Sequence, residues 1–311
     1  MATTIRDAEV QAFPLSYAII ERKITGSVTD IIAPKVQFPL SGGAFEIIGD
    51  VTIEEVIDDI GSPTTTPNTF QRSLKSVAYN CKYRALSESS IDPDLRKLDL
   101  HRPAAETVQN MLDFNHEYRL AKLFSDSAQY PSTNTVTLTS AQQWDNVTSA
   151  DSNPVDVIET AKLKIAEAGL PATHIIATSE VLRWIADHPE TRKRRAGGDL
   201  YKPTPDAIRT YFDLIPVAAD RIAGGSKIWG KNCIIAHLAP KGDVKVLNAQ
   251  KRVAPGFAYS PTTIMEGEKS IWKVVIFKKP GADYPEVKVA IMIDEVIAMP
   301  ELGYLIQNAI S

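Results

Sequence analysis

The apolar positions keep two rhythms, and the rhythm changes along the chain. Around Ser76 to Ala85 the period is two. Val77, Tyr79, Cys81, Tyr83 and Ala85 fall on one side, with Ser76, Asn80, Lys82 and Arg84 on the other. Alternation with aromatic and β-branched members predicts a half-buried strand. From Leu100 to Ser125 the spacing is three and four, with Val108, Met111, Phe114, Tyr118, Ala121 and Phe124 in one stripe. Ala105, Leu112, Leu120 and Leu123 widen that stripe, so the pattern predicts a helix buried over much of its circumference. Asp99 is placed to cap it, and Pro103 suits a first turn, where its missing N–H costs nothing. At 1.5 Å per residue such a helix would be roughly 38 Å long, which makes it a spine.

Before these elements the pattern is weaker. Residues 1 to 40 alternate short apolar patches with Pro14, Pro34 and Pro39 and keep no sustained period. Phe13, Tyr17, Ile19, Ile31 and Phe38 are many apolar groups for a solvated tail. The segment therefore reads as an extended arm lying on something else, with a floppy terminus as the alternative. Ser41 to Gln71 reads as a long hairpin: Gly42-Gly43 opens it, the β-rich run FEIIGDVTIEEVIDDI follows, and GSPTTTPN supplies turn chemistry.

After the polar connector YPSTNTVTLTS the texture becomes α/β alternation. Asn153 and Pro154 start a helix running through Ala168, and Gly169 ends it. THIIATS is a short buried strand, SEVLRWIADHP a helix capped by Ser179, and TPDAIRTYFD another short helix. IPVAAD and KIWGKNCIIAHLA read as strands. SIWKVVIFKK and EVKVAIMIDEVIAM are long strands joined by a KPGADYP turn, and GYLIQNAI is the last strand. Pattern alone thus predicts an α+β protein made of an arm, a hairpin, a long helix, an α/β lobe and returning strands.

Composition narrows the class without naming it. The 311 residues are 44% apolar and 23% charged, which allows a sizeable core and one or two domains. A net charge of -4 argues against a dedicated nucleic-acid binder but not against a local basic surface. Cys81 and Cys233 stand far apart with no CxxC spacing, which argues against a disulfide framework and a cysteine zinc site and suits a reducing cytoplasm. The start, MATTIRDAEVQAF, lacks the apolar core of a signal peptide, and no window approaches the ~20 apolar residues needed to span a bilayer. The expectation is a soluble protein.

Few residues suggest chemistry. Glu54, Glu55, Asp58 and Asp59 form an acidic run that lacks a calcium-loop pattern and reads as a solvated or neighbour-contacting face. Gly224-Gly225-Ser226-Lys227 looks like a phosphate loop, but the order of its last two residues is reversed and a strand follows, so it is a turn. His116-Glu117 begins like HExxH, yet position 120 is leucine. The five histidines are scattered, and neither a GxSxG elbow nor a GxGxxG fingerprint occurs. Arg192, Lys193, Arg194 and Arg195, followed by Gly197-Gly198, are the sharpest charge cluster. Phosphate binding, a solvated loop and pairing with Glu54 through Asp59 of another copy all remain open for it. No catalytic residue, cofactor or metal is expected.

Four segments bring in a family. They are DIIAPKVQFPLSGGAFEI, FQRSLKSVAYNCKYRALSESSID, NPVDVIETAKLKIAEAGLPATHIIATSEVLRWIADHPE, and KIWGKNCIIAHLAP together with the closing GYLIQNAI. In this order and spacing, over nearly the whole chain, they resemble the major capsid proteins of tailed double-stranded DNA bacteriophages with the Hong Kong 97-like fold. The resemblance implies an N-terminal arm at 1–40 and an extended loop at 41–75 that reaches over a neighbouring subunit. It implies a peripheral domain at 76–150 and 266–299 with the spine helix at about 100–125, and an axial domain at 151–265 and 300–311. It further implies pentamers and hexamers closing an icosahedral shell around packaged DNA, assembled in the host cytoplasm. The partners would be the chain itself, a portal, a decoration protein and, since the arm is short, a separate scaffolding protein. No cross-linking set of lysine, asparagine and glutamate is identified. Two other readings stand beside it: an encapsulin-like cellular nanocompartment shell, and a small α/β enzyme using the 151–265 lobe.

Overall fold

The computed structural model describes residues 9–11, 28–48, 74–90, 98–193, 205–239, 252–266, 268, 270–278 and 283–311. In chain order these form β1 (Glu9–Gln11), α1 (Thr29–Ile32), β2 (Lys35–Phe38), β3 (Gly42–Ile48), β4 (Leu74–Asn80), β5 (Lys82–Ser89) and α2 (Leu98–Phe124). Then come β6 (Thr135–Thr137), α3 (Pro154–Ala166), β7 (His174–Ala177), α4 (Ser179–Asp187), α5 (Pro189–Lys193), α6 (Pro205–Phe212) and β8 (Ile215–Ala218). The remainder is β9 (Ile222–Ala223), β10 (Ser226–Lys227), β11 (Cys233–Ala236), β12 (Arg252–Val253), β13 (Ala258–Thr263), β14 (Trp272–Phe277), β15 (Glu286–Ile293), β16 (Val296–Ile297) and β17 (Gly303–Gln307).

Two sheets carry the molecule. A seven-stranded sheet runs β1-β14-β15-β13-β16, with β2 parallel to β13 and β5 antiparallel to β15. Because β14 and β5 pair with the same residues of β15, they flank it on opposite sides. A five-stranded sheet runs β6-β17-β11-β7-β8. Its central strands are short apolar runs, and β11 is buried at all four positions, as expected of strands covered on both faces. Asn153 accepts from the N–H groups of Val155 and Asp156 and so caps α3, with Pro154 in its first turn. At the far end Gly169 takes φ 94°, a value that favours glycine.

The base of the long hairpin is an antiparallel β3–β4 pair, in register from Gly42↔Asn80 to Ile48↔Leu74. Phe45 and Tyr79 of this pair stack with Phe38, at ring-centroid distances of 5.3 and 4.6 Å. Tyr259 of β13 meets Phe45 edge-on at 5.9 Å. Phe257 joins the two sheets, packing on Phe124 of α2 and on Tyr130. It also lies on Gly303, where an added Cβ would fall 2.2 Å from its ring.

Several expectations change. Residues 28–38, counted with the arm, are packed in this chain's own core: Val28, Ile32, Ala33, Val36 and Phe38 are all buried. This part of the arm needs no neighbour. The alternating strand over 76–85 is two strands in different sheets, and its buried face ends at Cys81, because Tyr83 is 50% exposed. At the switch, the Cys81 N–H donates to the Ser41 carbonyl and its thiol to the Pro261 carbonyl. The long helix starts at Leu98, so Asp99 lies inside it and Pro103 is interior. Ser179 does not cap α4; Asp220 does, accepting from both the N–H and the hydroxyl of Ser179. KIWGKNCIIAHLA is interrupted by a turn around Gly230 (φ 62°), and the β15 run breaks at Asp294 before β16.

Sheet membership also cuts across the expected domain limits. β6, numbered within 76–150, belongs to the five-stranded sheet, and β13, within 151–265, belongs to the seven-stranded one.

Candidate functional site

The largest surprise is which face of α2 is buried. The covered positions are His101, Ala105, Val108, Gln109, Leu112, Asp113, His116, Glu117, Leu120, Ala121 and Phe124. They keep helical spacing, but five are polar or ionisable. Met111 and Tyr118, in the stripe read from hydrophobicity, are instead half exposed at 51% and 50%. Hydrophobicity alone therefore set the helix off its true face.

The buried polar residues form a charge network that ties α2 to three other elements. Lys35 of β2 lies 3.7 Å from Asp113 and 3.3 Å from Asp30. His116 Nε2 is 3.1 Å from the Ser260 hydroxyl of β13 and 3.8 Å from Glu295, the residue that follows β15 by two. Arg119 donates to Glu295 at 2.8 Å through Nε. Trp229 of the IWGKN turn donates its indole N–H to Glu117 at 3.1 Å, and Arg221 Nε lies 3.1 Å from the other carboxylate oxygen. That second contact is an ion pair without hydrogen-bond alignment, since this oxygen, Arg221 Nη1 and His116 Nδ1 have no hydrogen-bond partner.

Burial sets the proton affinities. His116 is held well below the ordinary imidazole value by burial, then by the nearby Lys35 and Arg119. It is therefore neutral, and its contact with Glu295 is not a salt bridge. Burial raises the Asp113 carboxyl, with Lys35 opposing. It likewise raises Glu117, against the Trp229 hydrogen bond and Arg221. Such networks contribute little net stability, but removing one partner strands the rest, so they favour one arrangement of the elements they join. Here they lock α2 against β2, β13 and the turn after β10.

On another side, α2 and β5 enclose an open slot of about 400 Å³. Consecutive residues 83–86 of β5 line one wall, and Leu112, Asn115, Tyr118 and Arg119 of α2 line the other. Tyr83, Leu86 and Tyr118 are exposed there. The guanidinium Nε of Arg84 is buried with no hydrogen-bond partner.

Of the residues singled out in sequence, Glu54, Glu55, Asp58, Asp59, Arg194 and Arg195 lie outside the described residues. Arg192 and Lys193 close α5 and have partners within the chain, Asp187 at 3.0 Å and Glu190. Gly224-Gly225 is the turn of the β9–β10 hairpin, with both glycines at positive φ. The network residues Asp113, His116, Glu117, Arg221 and Glu295 were missed. Their signal was present in part: Gln109, Asp113, His116 and Glu117 continue the three-and-four spacing of Val108, Leu112 and Leu120. Among the described residues no group of three His, Cys, Asp or Glu is arranged to hold a metal, and no helix is long and apolar enough to cross a membrane. Both cysteines are free and buried, and burial pushes the Cys81 thiol up to about 12 and Cys233 higher still.

No protein-family profile matches the chain, and no curated protein does. Solved structures do. A phage-related protein from Bordetella bronchiseptica superposes with a TM-score of 0.71 at 19% identity, covering 97% of this chain and 98% of that one. A prophage protein of Escherichia coli CFT073, assigned as its capsid protein, gives 0.55 at 12% identity over 96% and 99%. The chain shares the fold of both proteins. An encapsulin from Synechococcus elongatus shares it at 0.51 and 9% identity, covering 93% of this chain and 90% of that one. At these identities the likeness is one of fold, which by itself does not separate functions.

Proposed function

We propose that this chain is the subunit of a phage head: a shell-forming capsid protein with a structural rather than catalytic role. The observation that carries the reading is the end-to-end match to the phage-related Bordetella protein, at a TM-score of 0.71 over 97% of the chain. Subunits form pentamers and hexamers that close an icosahedral shell in the host cytoplasm and enclose double-stranded DNA without sequence-specific binding. A separate scaffolding protein, a portal and a decoration protein complete the particle. Apart from residues 28–38, the arm at 1–40 and the loop at 41–75 reach neighbours, and a peripheral and an axial domain divide the rest, with β6 counted in the axial and β13 in the peripheral one. The locked α2 suits this role, because a shell transmits load through rigid units and heterologous contacts close it only when their angle is held.

Electron microscopy of the purified full chain, with its mass by light scattering, tests this. Closed shells, rings or tubes of megadalton mass are the expected result. A monomer or dimer that never assembles, with or without crowding agents, would overturn it. The encapsulin match supports a second reading, a cellular nanocompartment. Neighbouring genes distinguish the two: terminase and portal genes for a head, a cargo enzyme gene for a compartment.

A further inference from the structure

The slot between α2 and β5 holds two arginines in opposite conditions. Arg119, on the α2 wall, commits its guanidinium to Glu295, at 2.8 Å through Nε and 2.7 Å through Nη2. Arg84, on the β5 wall, has its Nε buried and without a hydrogen-bond partner. Among the described residues no carboxylate pairs with its guanidinium. Its cross-strand neighbour is Ile291, whose side chain accepts nothing. A desolvated cationic donor is costly to leave unmade, so the slot holds one strong contact in reserve. The rest of the lining has the composition of a small-ligand site, mostly apolar with few polar groups. Tyr83, Leu86 and Tyr118 are exposed, Leu112 adds apolar surface, and Asn115 brings an amide that donates or accepts. The volume of about 400 Å³ falls within the ~300–1,000 Å³ that such sites occupy.

We infer that the slot binds a small organic anion, an aromatic ring carrying a carboxylate or a phosphate group. The oxyanion lies on Arg84, whose planar fork takes two oxygens at once, with Asn115 as the second polar contact. The ring lies among Leu86, Leu112 and Tyr118, where ring–ring contact adds to apolar burial. Strand geometry sets the spacing of these two subsites. Arg84 and Leu86 are alternate residues on one face of β5, opposite Ile291 and Val289, which pack on α2. They stand roughly 7 Å apart along the strand, the reach of a ring with a short tether to its acid. The site is complete within one chain and does not depend on the shell reading. A bound ligand would tie β5 to α2, a junction that the Asp113, His116 and Glu117 network does not reach.

The test is calorimetric titration of the purified full chain with 3-phenylpropionate and with phenyl phosphate. Three controls accompany them: the neutral 3-phenylpropionamide, acetate and inorganic phosphate. At least one of the two aromatic anions should bind with a dissociation constant at or below about 1 mM, within reach of a ligand this small. Which one does so separates a carboxylate ligand from a phosphate one. The amide and the two ring-free anions should bind at least tenfold more weakly. Arg84→Met should weaken binding at least tenfold while the melting temperature of the free protein stays the same or rises, because an unpaired buried cation is removed. Leu86→Glu places a carboxylate beside Arg84 from an exposed position and should block the site to the same extent. The inference is overturned if both aromatic anions bind more weakly than that limit, or if the amide or inorganic phosphate binds as well as they do. It is equally overturned if either substitution leaves binding unchanged. Each of these failures leaves the shell reading untouched.

Discussion

The two sheets reach their burial by different means. In the five-stranded sheet, β7, β11 and β17 bury Ile175, Ile176, Ile234, Ile235, Leu305 and Ile306 from short apolar runs. Where α2 meets the seven-stranded sheet, Ala105, Val108 and Leu112 pack on Trp272, Val274, Ile276 and Val289. One turn further on, the same helix face buries Asp113, His116 and Glu117. One region is held by apolar transfer, which is non-directional and tolerant. The other adds ion pairs and hydrogen bonds, which need one geometry and penalise any loss. The contrast says which part of the chain is a generic core and which fixes the relation between its halves.

The contrast can be broken most sharply at Glu117. Glu117→Ala strands Trp229 and Arg221 and should cost about 3–5 kcal/mol in chemical denaturation; a loss under ~1 kcal/mol would mean that the network holds nothing. Ile235→Ala, at a fully buried position of β11, should cost about 2–5 kcal/mol through its cavity. Its stability should run parallel to that of the unsubstituted chain at every pH, since no charge is involved.

The third effect is pH dependence. The folded His116 binds its proton far more weakly than the unfolded chain does. As pH falls below the unfolded value of about 6.5, the unfolded state takes up the proton first and stability declines. Asp113 and Glu117 act oppositely: their pKa values are raised in the fold, so stability from their neutral forms is lost as pH climbs from about 4 through those raised values. His116→Gln should therefore flatten the slope below pH 6.5 by up to about 1.4 kcal/mol per pH unit. An unchanged slope in urea titrations at pH 5 to 6.5 would place the acid sensitivity elsewhere. The smallest effect is the most pointed about the helix face. Met111→Ala should move stability by no more than about 0.5 kcal/mol, although hydrophobic spacing puts Met111 in the core stripe.

Legibility followed the same division. The α3 start at Asn153-Pro154, the buried strands β7 and β11 and the closing β17 were readable, because each is a local signal of cap, apolar run or turn. The chain's departure from one sheet to another at Cys81 was not, since alternation continues through the switch and only Ser41 and Pro261 mark it. The face of α2 was misread because a buried carboxylate looks like a surface one until its partners arrive from positions 35, 221, 229 and 295.

What the sequence determined by itself was the kind and order of elements: an α+β chain with a long helix, a long hairpin base and returning strands, each written in spacing a few residues long. What only the tertiary structure decided was partnership. It placed residues 28–38 in this chain's own core, turned Met111 and Tyr118 outward, left one edge of β5 unpaired by any described strand, and gave Glu117 its Trp229 and Arg221. The physical reason is range. Backbone propensity and hydrophobic period act between neighbours in sequence, whereas the buried charges of α2 are stable only beside groups brought from many tens to more than a hundred residues away.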